Sequence, residues 1–89
     1  MKKSLKFSAK AYFSKNTEKV LYLINDKHNT FEHVINCLTA ICEHDPLQAE
    51  QCALLAHYTG ICEIALGQDQ DLIPLQEDLA LYGLDVQIL

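Results

Sequence analysis

The residues best suited to chemistry in this 89-residue chain are polar side chains at two turns. Asn25 and Asp26 follow an apolar segment, and His57 lies near the end of a later helical segment. A carboxylate, a carboxamide and an imidazole acceptor around one point suit an ammonium group, which brings three N–H donors and one positive charge. The alternative, which spacing alone favours, is that His57 only caps or hydrogen-bonds the turn beside it.

The four histidines lack the spacing of a metal or catalytic site. They are His28, His33, His44 and His57. No two of them stand at i and i+4, and no neighbouring cysteine pair completes a set of four ligands. A Cys–His nucleophile pair would lack any recognisable oxyanion donor or orienting partner. The sequence therefore predicts no metal and no other cofactor, and it favours a protein that is not an enzyme.

The four cysteines contain no Cys-x-x-Cys pair. They are Cys37, Cys42, Cys52 and Cys62. Nothing else in the sequence indicates an oxidising compartment, so a disulfide framework is not expected. We expect buried free thiols that pack as small hydrophobic groups. This composition predicts a reduced, cytoplasmic protein.

Charge is divided unevenly along the chain. Residues 1–19 hold six lysines and one acid, for a net charge of +5, whereas residues 20–89 hold one lysine and eleven acids, for a net charge of −10. Binding to phosphate groups requires basic surface, so the acidic body argues against a nucleic-acid partner. The basic N-terminal residues, 1–18, are expected to form a flexible arm.

Chain length and hydropathy limit which other classes of protein are possible. The chain is long enough for one small domain, and 49% of its residues are hydrophobic, which allows a packed core. No run approaches the roughly 18 consecutive apolar residues of a membrane span. The lysines at the N-terminus are not followed by the apolar segment of a secretory signal. We therefore expect no membrane association.

The first predicted elements are a strand and a helix on either side of a turn. Val20–Ile24 is rich in β-branched and aromatic residues, which predicts a strand, and Asn25-Asp26 then predicts a turn. Asn29 with Glu32 three residues later has the form of a capping box at the start of a helix. The apolar face of that helix follows the spacing i, i+3, i+4, i+7 and i+10: Phe31, Val34, Ile35, Leu38 and Ile41.

The second predicted helix has the clearest boundaries. It runs from Pro46 to Thr59, with Asp45 as the N-cap, Gln48 completing a capping box and Gly60 ending it. Its apolar face consists of small residues: Ala49, Cys52, Ala53 and Ala56. Another element can therefore approach this face closely, and we expect the two helices to pack as a hairpin.

Two strands and one helix complete the chain. Ile61–Leu66 predicts a strand with Cys62, Ile64 and Leu66 on one face, and Leu84–Leu89 predicts another. Between them, a helix is expected to start near Asp71, to tolerate Pro74 in its first turn and to end at Gly83. Its apolar face is expected to contain Leu72, Leu75, Leu79 and Tyr82.

The predicted order is β-α-α-β-α-β. Three short strands cannot form a stable sheet alone, so the helices must cover one face of it. We therefore predict an α/β (α+β) sandwich, in which three helices cover one face of a three-stranded antiparallel sheet. The predicted core domain comprises residues 19–89.

Two motifs of this sequence resemble those of the ClpS family, adaptors of the ATP-dependent Clp protease. Asn25-Asp26 followed by Phe31-Glu32-His33-Val34-Ile35 is similar to the family's Asn-Asp-Asp-x-Thr-x-x-Glu-Phe-Val. Ala49 followed by Ala56-His57-Tyr58-x-Gly60 resembles the family's Ala-x-x-x-x-x-x-Val-His-x-x-Gly. The separation of the two blocks matches without a gap. The resemblance extends over residues 19–89 and weakens after Gly60.

The resemblance implies an adaptor that delivers proteins with bulky hydrophobic N-terminal residues to a Clp AAA+ unfoldase of the ClpA or ClpC type, which it engages at the unfoldase's N-terminal domain. The residues that match the family's amine-binding positions are Asn25, Asp26 and His57. The residues that match positions lining its hydrophobic pocket are Phe31, Val34, Ala53, Ala56 and Val86. The N-terminal arm occupies the position of a segment that engages the unfoldase during hand-over.

The main departure from the family is Lys27, which stands where the family has its second acid. Asn29 also replaces the family's Thr, and Thr30 its Pro. Two charges 4 Å apart near a protein surface interact by about 4 kcal/mol, so an inward-pointing Lys27 would oppose a bound ammonium group. A flexible lysine can instead extend into water.

Two hypotheses follow from this sequence. The first is an adaptor that binds N-terminal residues with altered specificity, in which Phe31 narrows the pocket mouth while Ala53 and Ala56 deepen the pocket. The second is a ClpS-fold interaction module that docks on an unfoldase or another partner without recognising N-termini. Lys27 favours the second, and the set formed by Asn25, Asp26 and His57 favours the first.

Overall fold

A computed structural model describes residues 18–89 of the chain. The predicted basic arm, residues 1–18, therefore lies outside the described residues except for Glu18. Six elements follow one another: β1 (Lys19–Ile24), α1 (Phe31–Ile41), α2 (Pro46–Thr59), β2 (Ile61–Gly67), α3 (Asp69–Leu81) and β3 (Val86–Ile88). This order confirms the predicted β-α-α-β-α-β arrangement.

The three strands form one antiparallel sheet in the order β2-β1-β3. The central strand β1 pairs with both neighbours, and Leu23 stands opposite Cys62 on one side and Val86 on the other. The inward side chains of the sheet and those of all three helices share one core. Its largest fully buried members are Leu21, Leu38, Leu72 and Leu79. The predicted α+β sandwich is thus confirmed.

An irregularity in the β1–β2 pairing corrects the predicted facing of β2. Leu21 pairs with Ala65 and Tyr22 with Glu63, so Ile64 is an extra residue between the two pairs. An extra residue reverses the alternation of the strand beyond it. Leu66, predicted on the same face as Cys62 and Ile64, is therefore 60% exposed, whereas those two residues are buried. The Ile64 carbonyl accepts a 3.0 Å hydrogen bond from Nε2 of His44, a buried side chain.

Helix α1 begins one residue later than predicted. Its N-cap is Thr30, whose hydroxyl accepts a hydrogen bond from the backbone N–H of His33 at 3.1 Å. Asn29, the predicted cap, donates its side-chain N–H groups to Asp26 and to the Gly83 carbonyl. The long-range contact removes Asn29 from the capping position, and the short hydroxyl of Thr30 takes its place.

Helix α2 has the boundaries that its sequence predicts. The Asp45 carboxylate accepts the backbone N–H of Gln48 at 2.9 Å, and Pro46 occupies the first turn. Gly60 ends the helix in the left-handed conformation, with φ +96°. The small apolar face of α2 is buried in the core, as expected: Ala49, Cys52, Ala53 and Ala56.

The last helix and strand differ from prediction at their ends. Helix α3 begins at Asp69 rather than near Asp71, because the Asp71 carboxylate accepts the backbone N–H of Gln68 and so closes the first turn earlier. Pro74 consequently lies inside the helix rather than in its first turn. Tyr82, predicted on the buried face, is 57% exposed, since the helix has ended at Leu81.

Candidate functional site

A pocket of about 500 Å³ opens where β1 ends and the chain turns into α1. The loop between β1 and α1 forms one side, and residues of α1 and α2 form the other. Its lining comprises Leu23, Ile24, Asn25, Asp26, Lys27, Asn29, Thr30, Phe31, Val34, Ala53, Ala56 and His57. Of the predicted site residues, only Val86 is missing from this lining.

A backbone contact brings the end of α2 beside the end of β1. The left-handed conformation of Gly60 turns its carbonyl toward the loop, where it accepts the backbone N–H of Asn25 at 3.0 Å. His57 stands one helical turn before Gly60. The contact therefore places the imidazole of His57 on the same pocket as Asn25 and Asp26, although 30 residues separate them in sequence.

The Asp26 carboxylate is held by three hydrogen bonds. Oδ1 accepts the backbone N–H groups of His28 at 2.8 Å and Asn29 at 2.9 Å, and Oδ2 accepts Nδ2 of Asn29 at 2.9 Å. This is the pattern by which an aspartate stabilises the turn that follows it. A carboxylate offers about four lone-pair positions, so one direction on Oδ2 is left for a ligand.

These hydrogen bonds also fix the protonation state of Asp26. Partial burial acts to raise the pKa of its carboxyl group, but the side-chain and backbone hydrogen bonds from Asn29, the backbone hydrogen bond from His28 and the nearby His28 side chain act to lower it. Their combined effect holds the pKa of Asp26 below its ordinary value. The pocket therefore contains a carboxylate at neutral pH.

Two polar side chains tie this loop to the turn after α3. Asn29 Nδ2 donates to the Gly83 carbonyl at 2.9 Å, and His33 Nε2 donates to the Tyr82 carbonyl at 2.8 Å. Neither contact was predicted from the sequence, and neither was the presence of Leu23 and Ile24 in the pocket lining. The sequence does contain a signal for the contact between Asn29 and Asp26, because the two residues stand three positions apart. It contains no signal for the distant carbonyl groups of Tyr82 and Gly83.

His57 lies on the surface of the pocket, among aromatic rings. Its ring meets that of Phe31 edge to face, with centroids 5.2 Å apart and an interplanar angle of 67°. It meets Tyr58 in the same way at 4.9 Å. Within residues 18–89, neither ring nitrogen of His57 has a hydrogen-bond partner, so the imidazole is available to a ligand and does not hydrogen-bond the adjoining turn.

The buried part of the pocket, which is called its apolar end below, is formed by hydrophobic side chains. Val34, Ala53 and Ala56 are buried there, and the alanine side chains leave the space open. Phe31 is 43% exposed and stands at the outer edge with His57. The pocket thus has polar and aromatic side chains at its more exposed edge and apolar side chains in its buried part.

Val86, expected to line the pocket, belongs to the core instead. Its side chain is 8% exposed, it pairs with Leu23 on the central strand, and its carbonyl accepts Nε2 of Gln76 at 3.3 Å. Because β1 is central and Leu23 itself lines the pocket, Val86 lies one strand further away.

Lys27 lines the pocket beside Asp26 and is exposed. The one ion pair within residues 18–89 joins Lys19 to Asp69 at 3.1 Å, so Lys27 has no ion-pair partner in that part of the chain. The pocket therefore carries one carboxylate and one free ammonium group, and these charges offset each other.

All four cysteines are free thiols, and burial, with a smaller contribution from Cys37, raises the pKa of Cys42 to about 11. A thiol is a poor nucleophile under these conditions. Residues 18–89 contain no group of three or more His, Cys, Asp or Glu side chains placed to hold a metal ion.

The family model described as "ATP-dependent Clp protease adaptor protein ClpS" matches residues 14–86, most of the chain. The chain belongs to the ClpS family. The family is one of adaptors of the ATP-dependent Clp protease, and its assignment supports an adaptor role for this chain. The resemblance found in the two sequence motifs is thereby confirmed.

A solved ClpS structure has the same fold. The structure of Agrobacterium tumefaciens ClpS2 bound to L-phenylalaninamide matches with a TM-score of 0.76 and 18% sequence identity, over 82% of this chain and 95% of that one. No curated protein matches the chain. Among the described helices, none has the length and apolar character needed to cross a membrane.

Proposed function

We propose that this ClpS protein binds other proteins by their N-terminal residue, an N-degron, and delivers them to a Clp AAA+ unfoldase. The supporting observation is that Asn25, Asp26 and His57 line a pocket whose buried side chains are apolar. The α-ammonium group of the substrate would lie against the polar set, and its first side chain would enter the apolar end.

The chemistry of the two ends fits such a ligand. A free N-terminus carries three N–H donors and a positive charge, which match the carboxylate of Asp26 and the acceptors of Asn25 and His57. A volume of about 500 Å³ is ordinary for a small-ligand pocket and accommodates one large side chain. The ligand of the Agrobacterium protein, L-phenylalaninamide, has a free α-amine, an aromatic side chain and an amide where a peptide would continue.

Delivery of the substrate to an unfoldase goes beyond what membership of the family shows. We propose the N-terminal domain of a ClpA- or ClpC-type unfoldase as the partner, the cytoplasm as the location and the basic residues 1–18 as the arm that acts during hand-over. We also propose a substrate preference that differs from the family's usual one, because Lys27 has replaced an acid and Phe31 narrows the pocket rim.

A second candidate function is an interaction module that docks on an unfoldase or another partner without recognising N-termini. The observation that favours it is Lys27, which places an ammonium group on the pocket that would have to accept another one. Two like charges at short range near a surface repel each other.

Binding of short peptides with and without a free amine tests the proposal. We would titrate peptides that begin with Leu, Phe, Tyr or Trp and carry a fluorophore at their C-terminus, each beside its N-acetylated form. Binding that acetylation abolishes is the expected result. Binding that survives acetylation, or none at all, would favour the interaction module.

A pair of variants on α2 tests the site itself. His57→Ala removes an acceptor from the pocket and should weaken binding. Gln51→Ala is the matched control, because Gln51 is an exposed residue of the same helix and is absent from the pocket lining. Equal affinity of His57→Ala and the unchanged protein would place the amine elsewhere. Lys27→Asp should strengthen binding in an adaptor and change nothing in an interaction module.

A further inference from the structure

The ionisable groups that line the pocket are Asp26, Lys27 and His57. Asp26 directs much of its carboxylate toward the loop, where it accepts three hydrogen bonds. Lys27 has no partner of opposite charge within residues 18–89. A positively charged α-amine that enters this pocket therefore meets one engaged carboxylate and one unpaired ammonium group.

The second residue of a bound peptide would lie near that unpaired group. Consecutive Cα atoms are 3.8 Å apart, so the second residue begins within one peptide unit of the amine site. Lys27 follows Asp26 directly, and its four-carbon side chain is flexible and exposed. Its ammonium group can therefore reach a side chain at the second position, which projects out of the pocket once the first side chain occupies the apolar end.

We propose that Lys27 makes this pocket selective for N-terminal segments whose second residue is acidic. An aspartate or glutamate at that position supplies the negative charge that pairs with Lys27 and reduces its repulsion of the α-amine. A lysine or arginine there adds a third positive charge and is disfavoured. The inference rests on the proposed function, since it concerns a peptide held by its N-terminus in the same pocket.

The size of the effect follows from the exposure of Lys27. Exposed ion pairs contribute little to binding free energy, because water and salt screen both charges. We therefore expect an acidic second residue to raise affinity by about two- to fivefold. The preference should also diminish at high salt, where the screening length falls from about 10 Å at 0.1 M to about 3 Å at 1 M.

Three peptides that differ only at the second residue test this selectivity. They begin Phe-Asp, Phe-Asn and Phe-Lys, so that aspartate is compared with a neutral residue of the same shape and with the opposite charge. We expect the 89-residue chain to bind them in the order Phe-Asp, Phe-Asn, Phe-Lys at low salt, and we expect the differences to shrink when NaCl is raised.

Two lysine variants identify the residue responsible. Lys27→Gln keeps a long polar side chain without the charge and should abolish the preference among the three peptides. Lys19→Gln is the matched control: Lys19 is exposed, pairs with Asp69 and is not in the pocket lining, so its loss should leave the order unchanged.

The outcomes separate this inference from the proposed function. If acetylation abolishes binding but the three peptides bind equally, the N-terminus is recognised and the role of Lys27 is overturned. A preference that persists in Lys27→Gln overturns it as well, because another group must then be responsible. If no free N-terminus binds, or if acetylation has no effect, both proposals fail.

Discussion

The side-chain amide of Asn29 joins the Asp26 carboxylate to the Gly83 carbonyl, donating to each at 2.9 Å. Asp26 is a residue of the proposed amine site, and Gly83 lies in the turn between α3 and β3. One short side chain thus orients the carboxylate and anchors the loop that contains it.

Replacing Asn29 should destabilise the fold measurably. Asn29→Ala removes both hydrogen bonds, and because water can reach the exposed Gly83 carbonyl and the half-buried Asp26, the loss should cost about 0.5–1.5 kcal/mol of unfolding free energy. Urea denaturation monitored by circular dichroism measures the change. Asn36→Ala, on the exposed side of α1, is the matched control and should lie within about 0.5 kcal/mol of the unchanged protein. Equal stability of the two variants would contradict a structural role for the bridge.

The pKa of Asp26 predicts how stability responds to acid. Because its folded pKa lies below the ordinary value of 3.8, the unfolded chain takes up a proton first as the pH falls. The stabilisation from Asp26 is therefore complete above pH 3.8 and is lost as the pH falls through the lower folded value.

Asp26→Asn should remove this contribution and flatten the pH dependence of unfolding free energy in that range. Urea denaturation at a series of pH values from 6 down to 2.5 measures it. Asp78→Asn, an exposed acid of α3 with no side-chain hydrogen bond to residues 18–89, is the matched control and should retain the slope of the unchanged protein. An unchanged slope in Asp26→Asn would show that the hydrogen bonds do not favour the charged form.

Filling the apolar end of the pocket should block peptide binding without unfolding the protein. Ala56→Leu places three more carbon atoms where the first side chain of a peptide would lie, and the pocket provides the space for them. We expect a loss of affinity of about tenfold or more, equivalent to about 1.4 kcal/mol, and a loss of stability of no more than about 1–3 kcal/mol. Ala40→Leu, on the exposed side of α1, should leave affinity unchanged. Peptide titration and urea denaturation of both variants measure the two quantities, and retained affinity in Ala56→Leu would place the first side chain outside this pocket.

The sequence was most informative where local rules decide the structure. Asp45 and Gly60 have strong preferences for the two ends of a helix, and α2 begins and ends where they predict. It was less informative where a distant group intervenes. Asn29 looked like a helix cap, but the Gly83 carbonyl, 54 residues away, provides a competing partner that no local pattern reveals.

The same distinction applies to the candidate site. Side-chain chemistry suggested Asn25, Asp26 and His57 as an ammonium site, and the resemblance supported the set. Spacing alone did not, because periodicity does not determine that the Gly60 carbonyl reaches the backbone of Asn25. Leu66 was assigned to the wrong face, since the extra residue Ile64 leaves no mark in a regular alternation. Elements with local signals could thus be predicted, whereas contacts that depend on register or on distant carbonyls could not.

At the contact between the end of α2 and the pocket loop, substitution of Gly60 should reduce stability. Its φ of +96° lies in the left-handed region, which costs a residue with a Cβ about 1–2 kcal/mol and an asparagine less. A Cβ added there would meet no atom within 4 Å among the described residues, so backbone strain alone determines the effect. The stability of the series should therefore fall in the order Gly60, Gly60→Asn, Gly60→Ala, as measured by urea denaturation.

Because the Gly60 carbonyl also holds the backbone of Asn25, peptide affinity should follow the same order. A Gly60→Ala protein as stable as the unchanged one would mean that the end of α2 adopts another conformation, and the position of His57 relative to Asn25 would change with it.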